Sequence, residues 1–309
     1  MTIERAASRP VRKPWGCLDP WPWSQRSADG AKVGELWFQR SGDKASESIL
    51  LLKLLFSSAP LSIQVHPDDA FARSIGLERG KTEAWYVLSA ESDAKIGLGL
   101  TRSVPQSDLQ RAIGEGTIVD LIQWRNVKAG DAILVPARTI HAIGSGLVIA
   151  EIQQRSDVTF RLFDYGSDRE LHIDMAVAAA DAAPFVAQGR PRRLTDVRTQ
   201  LVSCRYFTLE RVDLEPDSEW MLNVDRETWA LVLDGEAKIG QMTVVRGDVV
   251  FMEEDEVRVE VVNAGLKGLF AYVGSEAEAN LLQRKGRRNA ADFPSHKALA
   301  SSASHGLTS

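Results

Sequence analysis

Residues 49–56 read ILLLKLLF, an apolar run that is broken only by Lys53. An apolar run of this length predicts a buried β-strand. After it, residues 61–66 alternate between apolar and polar side chains, and residues 156–163 alternate more sharply still, which predicts strands with one face in a core. Many short strands with glycine and proline turns, and few helices, predict a mainly β fold with a sandwich or barrel core.

Two hairpins are predicted. Residues 84–88 and 94–98 are apolar runs on either side of a polar turn. Residues 229–239 contain Asp234 followed by Gly235, a pair that favours a tight turn between two strands.

Only two regions are predicted to be helical. Residues 106–113 follow Pro105 and have Ser107 as a candidate N-cap, and residues 117–124 could continue this helix. The second region, residues 171–180, is rich in alanine.

The length of 309 residues favours about two domains. We predict an N-terminal domain over residues 1–181, a linker over 182–195, a C-terminal domain over 196–275 and a polar tail over 276–309. The tail is poor in large apolar residues, so its end, after about residue 287, is predicted to be disordered.

A short internal repeat supports two related β domains. Residues 130–131 and 247–248 are both Gly-Asp, and each pair precedes a short apolar strand. Eleven residues after the first glycine stands His141, and eleven after the second stands Arg258. If the halves are related, only the first has a metal-ligating side chain there.

Composition excludes several classes of function. The net charge is -5 and no basic run is present, which disfavours nucleic-acid binding. No apolar run approaches the roughly 18 residues that cross a bilayer, and no signal peptide is predicted. Cys17 and Cys204 are far apart and fit neither a disulfide framework nor a zinc ribbon, so we expect a reduced, cytoplasmic setting.

Metal-ligating residue types come together in the first half of the chain. Gln64 and His66 are two residues apart on a predicted strand and share a face, and Pro67 favours extended geometry before it. Glu83 begins an apolar run, and His141 follows a turn. One amide, two imidazoles and one carboxylate suit zinc, although manganese, iron, cobalt or nickel would also be accepted. The absence of thiolates favours a catalytic site over a structural zinc site.

Each of these residues also has a simpler interpretation. His66 could be a structural histidine, and Glu83 could be a solvated carboxylate. Of the remaining histidines, His172 is interpreted as structural, whereas His296 and His305 lie in the predicted tail.

Cationic side chains accompany the metal-ligating types. Lys53 interrupts an apolar strand, so its ammonium needs a partner if it is buried, or water at a sheet edge. Lys81 shares a strand face with Glu83, or is a surface lysine after a turn. Arg138 and Arg161 complete the set, and Arg161 could instead form a salt bridge with Asp157, which contributes little if exposed. A metal beside a cationic wall suits an anionic, oxygen-rich substrate.

Four motifs, in this order, resemble those of type I mannose-6-phosphate isomerases. They are LSIQVHPD at residues 61–68, GKTEAWY at 80–86, VPARTIHA at 135–142 and EIQQRSDVTFRLFDY at 151–165. KPWG at residues 13–16 and RELH at 169–172 extend the resemblance, which covers roughly residues 10–180. The second β block shows no metal motif, and the chain has no room for the helical insertion of longer members, so it resembles a short bacterial form.

The resemblance implies a double cupin, that is, two β-sandwich or jelly-roll barrels with few short helices. Residues 130–141 are similar to the second cupin motif, with Arg138 where cupins often have glycine, and Gln64 replaces the first histidine of the His-x-His motif. By resemblance, the metal ligands are Gln64, His66, Glu83 and His141, the catalytic residues are Arg161, Lys81 and Asp157, and the substrate-binding residues are Lys53 and Ser62.

The implied reaction interconverts mannose 6-phosphate and fructose 6-phosphate through a cis-enediol, with one divalent ion per chain, zinc being expected. The implied partner is this small sugar phosphate, and the chain is expected to be a monomer or a homodimer. Two alternatives stay open at this point: a cupin metalloenzyme that isomerises a different sugar, and a non-catalytic cupin that binds metal or sugar. An oxygenase is less favoured because Gln64 replaces a histidine. The base that moves the proton is not assigned, although Lys81 is a candidate.

Overall fold

The computed structural model describes residues 2–27, 29–42, 47–187 and 189–287. The strands of the first half are β1 (Thr2–Arg5), β2 (Ala7–Cys17), β3 (Val33–Gln39), β4 (Leu50–Ser57), β5 (Ile63–Val65), β6 (Glu83–Ala90), β7 (Lys95–Leu100), β8 (Ile122–Asn126), β9 (Ala132–Val135), β10 (His141–Ile143), β11 (Leu147–Gln154) and β12 (Phe160–Phe163). Those of the second half are β13 (Arg192–Arg193), β14 (Arg198–Ser203), β15 (Phe207–Leu214), β16 (Ser218–Val224), β17 (Thr228–Ile239), β18 (Met242–Val245), β19 (Val249–Glu253), β20 (Asp255–Val273) and β21 (Leu282–Arg287). The helices are α1 (Asp69–Ser74), α2 (Gln106–Gly114), α3 (Ile118–Leu121) and α4 (Ile173–Ala179). The predicted mainly β fold is confirmed.

Three antiparallel sheets organise these strands. A six-stranded sheet has the order β2-β3-β4-β11-β6-β9, and a five-stranded sheet has the order β12-β5-β10-β7-β8. The other strands form a ten-stranded sheet. Side chains of β6 and β7 share one core, so the six-stranded and five-stranded sheets face each other and enclose the first barrel.

Strand β4 is buried along its whole length. Leu54 and Phe56 pack in one core with Phe251 of the ten-stranded sheet. Leu55 lies on the other face, in the core of the first barrel. Because successive side chains of a strand point to opposite faces, Lys53 points into the barrel like Leu55. The predicted buried strand is confirmed, and Lys53 is not at an edge because β4 pairs with both β3 and β11.

The hairpin predicted from residues 84–88 and 94–98 is wrong. The first run belongs to β6, which pairs with β11 and β9, and the second belongs to β7, which pairs with β10 and β8. The chain therefore crosses from one sheet to the other at this turn, which closes the barrel.

The hairpin predicted at Asp234-Gly235 is also wrong. Strand β17 continues through this pair, and its register with β20 shifts on either side of it, as in a β-bulge. A Cβ on Gly235 would lie 2.0 Å from the carbonyl oxygen of Gly265, so this glycine permits a close backbone approach. The chain reverses after Ile239, where β17 pairs with β18.

The helix predictions are partly confirmed. Helices α2 and α4 lie where they are predicted, but α2 begins after Pro105, which is its N-cap, so Ser107 does not cap it. The predicted continuation over residues 117–124 is wrong beyond Leu121, because β8 begins there. Helix α1 is not predicted.

The Gly-Asp turns at 130–131 and 247–248 have the same geometry. The glycines have φ angles of 92° and 89°. The glycine N–H donates to the carbonyl of Val87 at 2.9 Å in one turn and to that of Val232 at 3.0 Å in the other. In both turns the aspartate carboxylate accepts from the N–H three residues before it at 2.9 Å. The repeat is thus a repeat of structure as well as of sequence.

The predicted domain limits stay a prediction. Strand β1 joins the ten-stranded sheet by pairing with β19, and β21, within the predicted tail, pairs with β16. Residues 288–309, where disorder is predicted and which include His296 and His305, lie outside the described residues. Among the described residues, none of the four helices has the length and hydropathy of a membrane-spanning segment.

Candidate metal centre

Three strands of the first barrel, β5, β6 and β10, bring the predicted ligands to one place. Gln64 in β5 lies directly opposite His141 in β10 on one side and Arg161 in β12 on the other. Directly opposed residues of antiparallel strands share a face, so these three side chains lie side by side. His66 follows β5 at once, and Glu83 opens β6 in the facing sheet.

His66, Glu83 and His141 form a compact buried group, each about 1% exposed. Their ligating atoms all lie within 4.8 Å of one another. His66 Nε2 is 3.5 Å from Glu83 Oε2, and His141 Nε2 is 3.4 Å from Glu83 Oε1. Gln64 Nε2 lies 3.2 Å from His141 Nε2. The structure therefore brings together all four residues that were predicted as ligands.

Backbone carbonyls orient both imidazoles. His66 Nδ1 lies 2.8 Å from the carbonyl oxygen of Val158, and His141 Nδ1 lies 2.9 Å from that of Thr139. A carbonyl only accepts, so each Nδ1 carries the proton and each Nε2 presents its lone pair to Glu83. Burial lowers the pKa of His66 well below its ordinary value and that of His141 to about 4. Both rings are neutral at pH 7, as metal ligation requires.

Two atoms of this group have no hydrogen-bond partner among the described residues. They are His66 Nε2 and Glu83 Oε2, and both are buried. An unpaired buried polar atom costs about 1–3 kcal/mol, so native structures rarely contain one without a reason. A divalent cation would give His66 Nε2 a partner and would also bind Glu83 Oε2, which otherwise lies 3.4 Å from Lys81 Nζ. The nitrogen and oxygen donors fit zinc or a similar transition ion. Ligation by Gln64 also requires its amide to present Oε1, which now accepts from Ser62 Oγ at 3.3 Å.

A cavity of about 190 Å³ opens beside this group. Its charged lining residues are the cations Lys13, Lys53, Lys81, Arg161 and Arg169 and the acids Glu35, Glu151 and Asp157. Ser62, Gln64 and His172 also line it. All the residues predicted for catalysis and substrate binding therefore face one space. Arg138 does not line it.

A buried network of charges forms the floor of the cavity. Lys53 Nζ lies 3.4 Å from Glu151 Oε1, and Lys81 Nζ lies 3.4 Å from Glu83 Oε2. Trp85 Nε1 donates to Glu83 Oε1 and to Glu151 Oε2, at 3.1 Å each. Burial alone would lower the pKa of Lys81, but the surrounding carboxylates, Glu83 first, outweigh it and raise the pKa. Burial, and then the charge of Glu83, raises the pKa of Glu151.

Arg161 differs from the other lining cations. Each of the other four has a carboxylate within 4.0 Å, whereas Arg161 has none among the described residues. Its Nη1 donates only to the carbonyl of Glu170 at 3.0 Å, and the salt bridge with Asp157 considered above is not formed. The guanidinium charge is therefore free to act on a ligand in the cavity.

No protein-family model matches the chain. It is 36% identical over 198 residues to mannose-6-phosphate isomerase of Streptococcus mutans, a match that covers 58% of this chain and 60% of that protein. It is 34% identical over 203 residues to mannose-6-phosphate isomerase ManA of Bacillus subtilis, covering 60% of this chain and 63% of that protein. The chain resembles mannose-6-phosphate isomerases. Each match spans less than two thirds of the length of the relative.

Solved structures of mannose-6-phosphate isomerases have the same fold. The enzyme from Bacillus subtilis superposes with a TM-score of 0.74 at 25% identity, covering 88% of this chain and 100% of that chain. A phosphomannose isomerase variant from Salmonella typhimurium superposes with a TM-score of 0.69, at 14% identity over 89% of this chain and 100% of that one, and shows the fold alone. The predicted resemblance and the double-cupin fold class are confirmed.

Sequence reasoning missed part of this site. Glu151 stands in the apolar run of β11 as Lys53 stands in that of β4, so the same signal, a lone charge in a buried strand, could have found it. His172, interpreted as structural, lines the cavity, and its Nδ1 accepts from the backbone N–H of Arg161 at 3.2 Å. Arg169 forms a bidentate pair with Asp164 beside the same space.

Proposed function

We propose that the chain is a metal-dependent aldose-ketose isomerase that interconverts mannose 6-phosphate and fructose 6-phosphate through a cis-enediol. The observation that carries this proposal is the juxtaposition of the buried group His66, Glu83 and His141 with a cavity into which Arg161 brings an unpaired positive charge. The names of the similar proteins supply the substrate.

The metal is held by the four predicted ligands in this proposal. His66, Glu83 and His141 offer two imidazole nitrogens and a carboxylate, and Gln64 completes the set through its amide oxygen. We propose zinc, which when bound supplies a Lewis acid that polarises the carbonyl and hydroxyl oxygens of the open-chain sugar.

Arg161 stabilises negative charge in this proposal. Removing the proton next to the carbonyl carbon leaves charge on the sugar oxygens, and a preorganised cation at that position lowers the barrier. Because no carboxylate among the described residues lies within 4.0 Å of Arg161, its guanidinium can contact the substrate without first breaking an ion pair.

Proton transfer and phosphate binding are assigned to other lining residues. Lys81 and Asp157 support the transfer of the proton between the two sugar carbons, and both line the cavity beside the ligands. Lys53 and Ser62 hold the phosphate. The excess of cationic over acidic lining side chains favours an anionic substrate.

The test is turnover of mannose 6-phosphate by purified, zinc-loaded protein. We expect fructose 6-phosphate to form, activity to be lost with a chelator and to return with zinc, and unphosphorylated mannose to be a poor substrate. Folded protein that holds metal without turnover would favour an isomerase of a different sugar or a non-catalytic binding cupin. The cytoplasmic location and the monomeric or homodimeric state stay predictions.

A further inference from the structure

The loop that carries His141 contains an arginine in an unusual conformation. The N–H of Thr139 donates to the carbonyl of Pro136 at 3.2 Å, which closes a turn over residues 136–139. Within this turn Arg138 has a φ of 73°, in the left-handed region that favours glycine. For a residue other than glycine this backbone conformation is strained, and the contacts of the residue must offset the strain.

The backbone of Arg138 links its turn to two other segments, one of which carries the predicted ligand His66. Its N–H donates to the carbonyl oxygen of His66 at 2.7 Å, and its carbonyl accepts from the N–H of Asp181 at 2.8 Å. One residue further on, the carbonyl of Thr139 orients the imidazole of His141. The turn therefore contacts one metal-ligating residue directly and orients the other.

The guanidinium of Arg138 reinforces the same links. Its Nε and Nη2 donate to Asp181 Oδ1 at 3.0 and 2.8 Å. Its Nη1 lies 3.9 Å from Asp68 Oδ2, two residues after His66. Asp68 also caps helix α1, since its side chain accepts from the N–H of Phe71. A glycine would suit the backbone angle but would make none of these side-chain contacts.

We propose that Arg138 is a positioning residue of the metal centre. It fixes the loop that carries His141 to the strand end that carries His66, and so fixes the separation of the two imidazole nitrogens. This role rests on the proposed metal site. It predicts that the side chain of Arg138 matters for metal affinity although it touches neither the metal ligands' nitrogens nor the cavity.

The test compares zinc affinity with the stability of the metal-free protein. In Arg138→Gly the backbone relaxes while the guanidinium contacts are lost, so we expect the midpoint of urea unfolding without metal to change little. The dissociation constant for zinc, measured by competition with a chromogenic chelator, should rise about 10- to 100-fold, as for other groups that orient metal ligands. Asp181→Asn should weaken binding in the same direction, and the double variant should lose little more than Arg138→Gly alone.

Glu254→Gly is the matched control. Glu254 also has a left-handed φ, of 48°, but is exposed in the second half of the chain, and this variant should bind zinc like the wild type. Should Arg138→Gly fail to fold, Arg138→Lys keeps the charge without the two-nitrogen contact and should also bind zinc more weakly.

Two results overturn the proposal in distinguishable ways. If the wild type binds zinc and Arg138→Gly stays within about twofold of it, or Glu254→Gly weakens binding as much, Arg138 does not position the site. If the wild type itself binds no divalent metal, the metal site fails and the role of Arg138 fails with it.

Discussion

At the scale of single residues, the two imidazoles are held in the neutral form and orientation that a metal ligand would need. Each donates through Nδ1 to a backbone carbonyl, and burial holds each pKa below its ordinary value. Because the carbonyls belong to the main chain, the choice of tautomer does not depend on another titrating side chain. The rigid backbone thereby specifies which nitrogen faces Glu83.

Arg161→Ala should abolish most turnover and leave the metal in place. We expect turnover to fall by roughly 10²–10³-fold, the loss seen when one preorganised donor to a developing oxyanion is removed. The measurement is steady-state turnover together with metal content by mass spectrometry.

Arg161→Lys is the control for this change, because it keeps the positive charge without the planar guanidinium group. Its turnover should lie between that of the wild type and that of Arg161→Ala. Loss of metal from the alanine variant would instead make Arg161 a structural residue.

At the scale of elements, a tight crossing brings the end of β5 against the start of β6. A Cβ on Gly80 would lie 2.5 Å from both the carbonyl carbon of Asp68 and the carbonyl oxygen of Pro67. The N–H of Gly80 also donates to Asp69 Oδ1 at 2.9 Å. Since His66 precedes this backbone and Glu83 follows Gly80, the crossing sets how closely these two side chains approach.

Gly80→Ala should therefore disturb both folding and metal binding. The methyl group meets backbone that cannot rotate away, so we expect a loss of about 2–3 kcal/mol in the free energy of unfolding, as for other overpacked sites. Urea unfolding of the metal-free protein measures it, and zinc affinity should fall with it.

Gly114→Ala is the matched change in α2. A Cβ there meets nothing within 4 Å, and the residue is helical, so this variant should be as stable as the wild type or up to about 1 kcal/mol more stable. Equal stability of both alanine variants would contradict the crowding at Gly80.

Sequence patterns predicted individual elements better than their partners. The apolar run of β4 and the alanine-rich α4 are local signals, and both lie as predicted. Whether β6 pairs with β7 depends on which sheet each strand joins. That is decided by strands later in the chain, because β9 and β11 pair with β6, whereas β8 and β10 pair with β7. Residue type and spacing, together with the family resemblance, predicted the four candidate ligands that the structure brings together, whereas Trp85 joins the site only through its contacts with two carboxylates.

At the scale of the whole molecule, the two halves share one core. Side chains of the six-stranded and ten-stranded sheets pack together, including Leu54 and Trp229. Buried Glu227 accepts from the backbone N–H groups of Ile49 at 2.6 Å and Leu50 at 2.8 Å, so a carboxylate of the second half caps the start of β4. We therefore expect the halves to unfold in one cooperative transition.

Stability should depend on pH through Glu278 in the second half. Burial, together with a hydrogen bond to Asp225 and the charge of that residue, raises the pKa of Glu278 to about 8. The folded state thus holds this proton more tightly than the unfolded state, whose glutamate has an ordinary pKa near 4.5. The contribution to stability is complete below about pH 4.5 and is lost as the pH rises to about 8.

Glu278→Gln removes this titration. The free energy of unfolding of the variant minus that of the wild type should increase between pH 5 and pH 9, by up to about 4 kcal/mol. Urea unfolding of both proteins across that range measures the difference, and groups common to both cancel. A difference that does not change with pH would show that Glu278 keeps an ordinary pKa.

The pairing of β1 with β19 bears on how the chain folds as it is made. Thr2–Arg5 is synthesised before its partner, Val250–Glu253, which follows roughly 240 residues later. At typical rates of synthesis the first strand waits on the order of 10–50 s without its hydrogen-bonding neighbour. The first barrel can close during this time, but the ten-stranded sheet gains its β1 edge only after Glu253 has emerged, so a nascent chain interrupted before β19 would expose β1 as an unpaired strand.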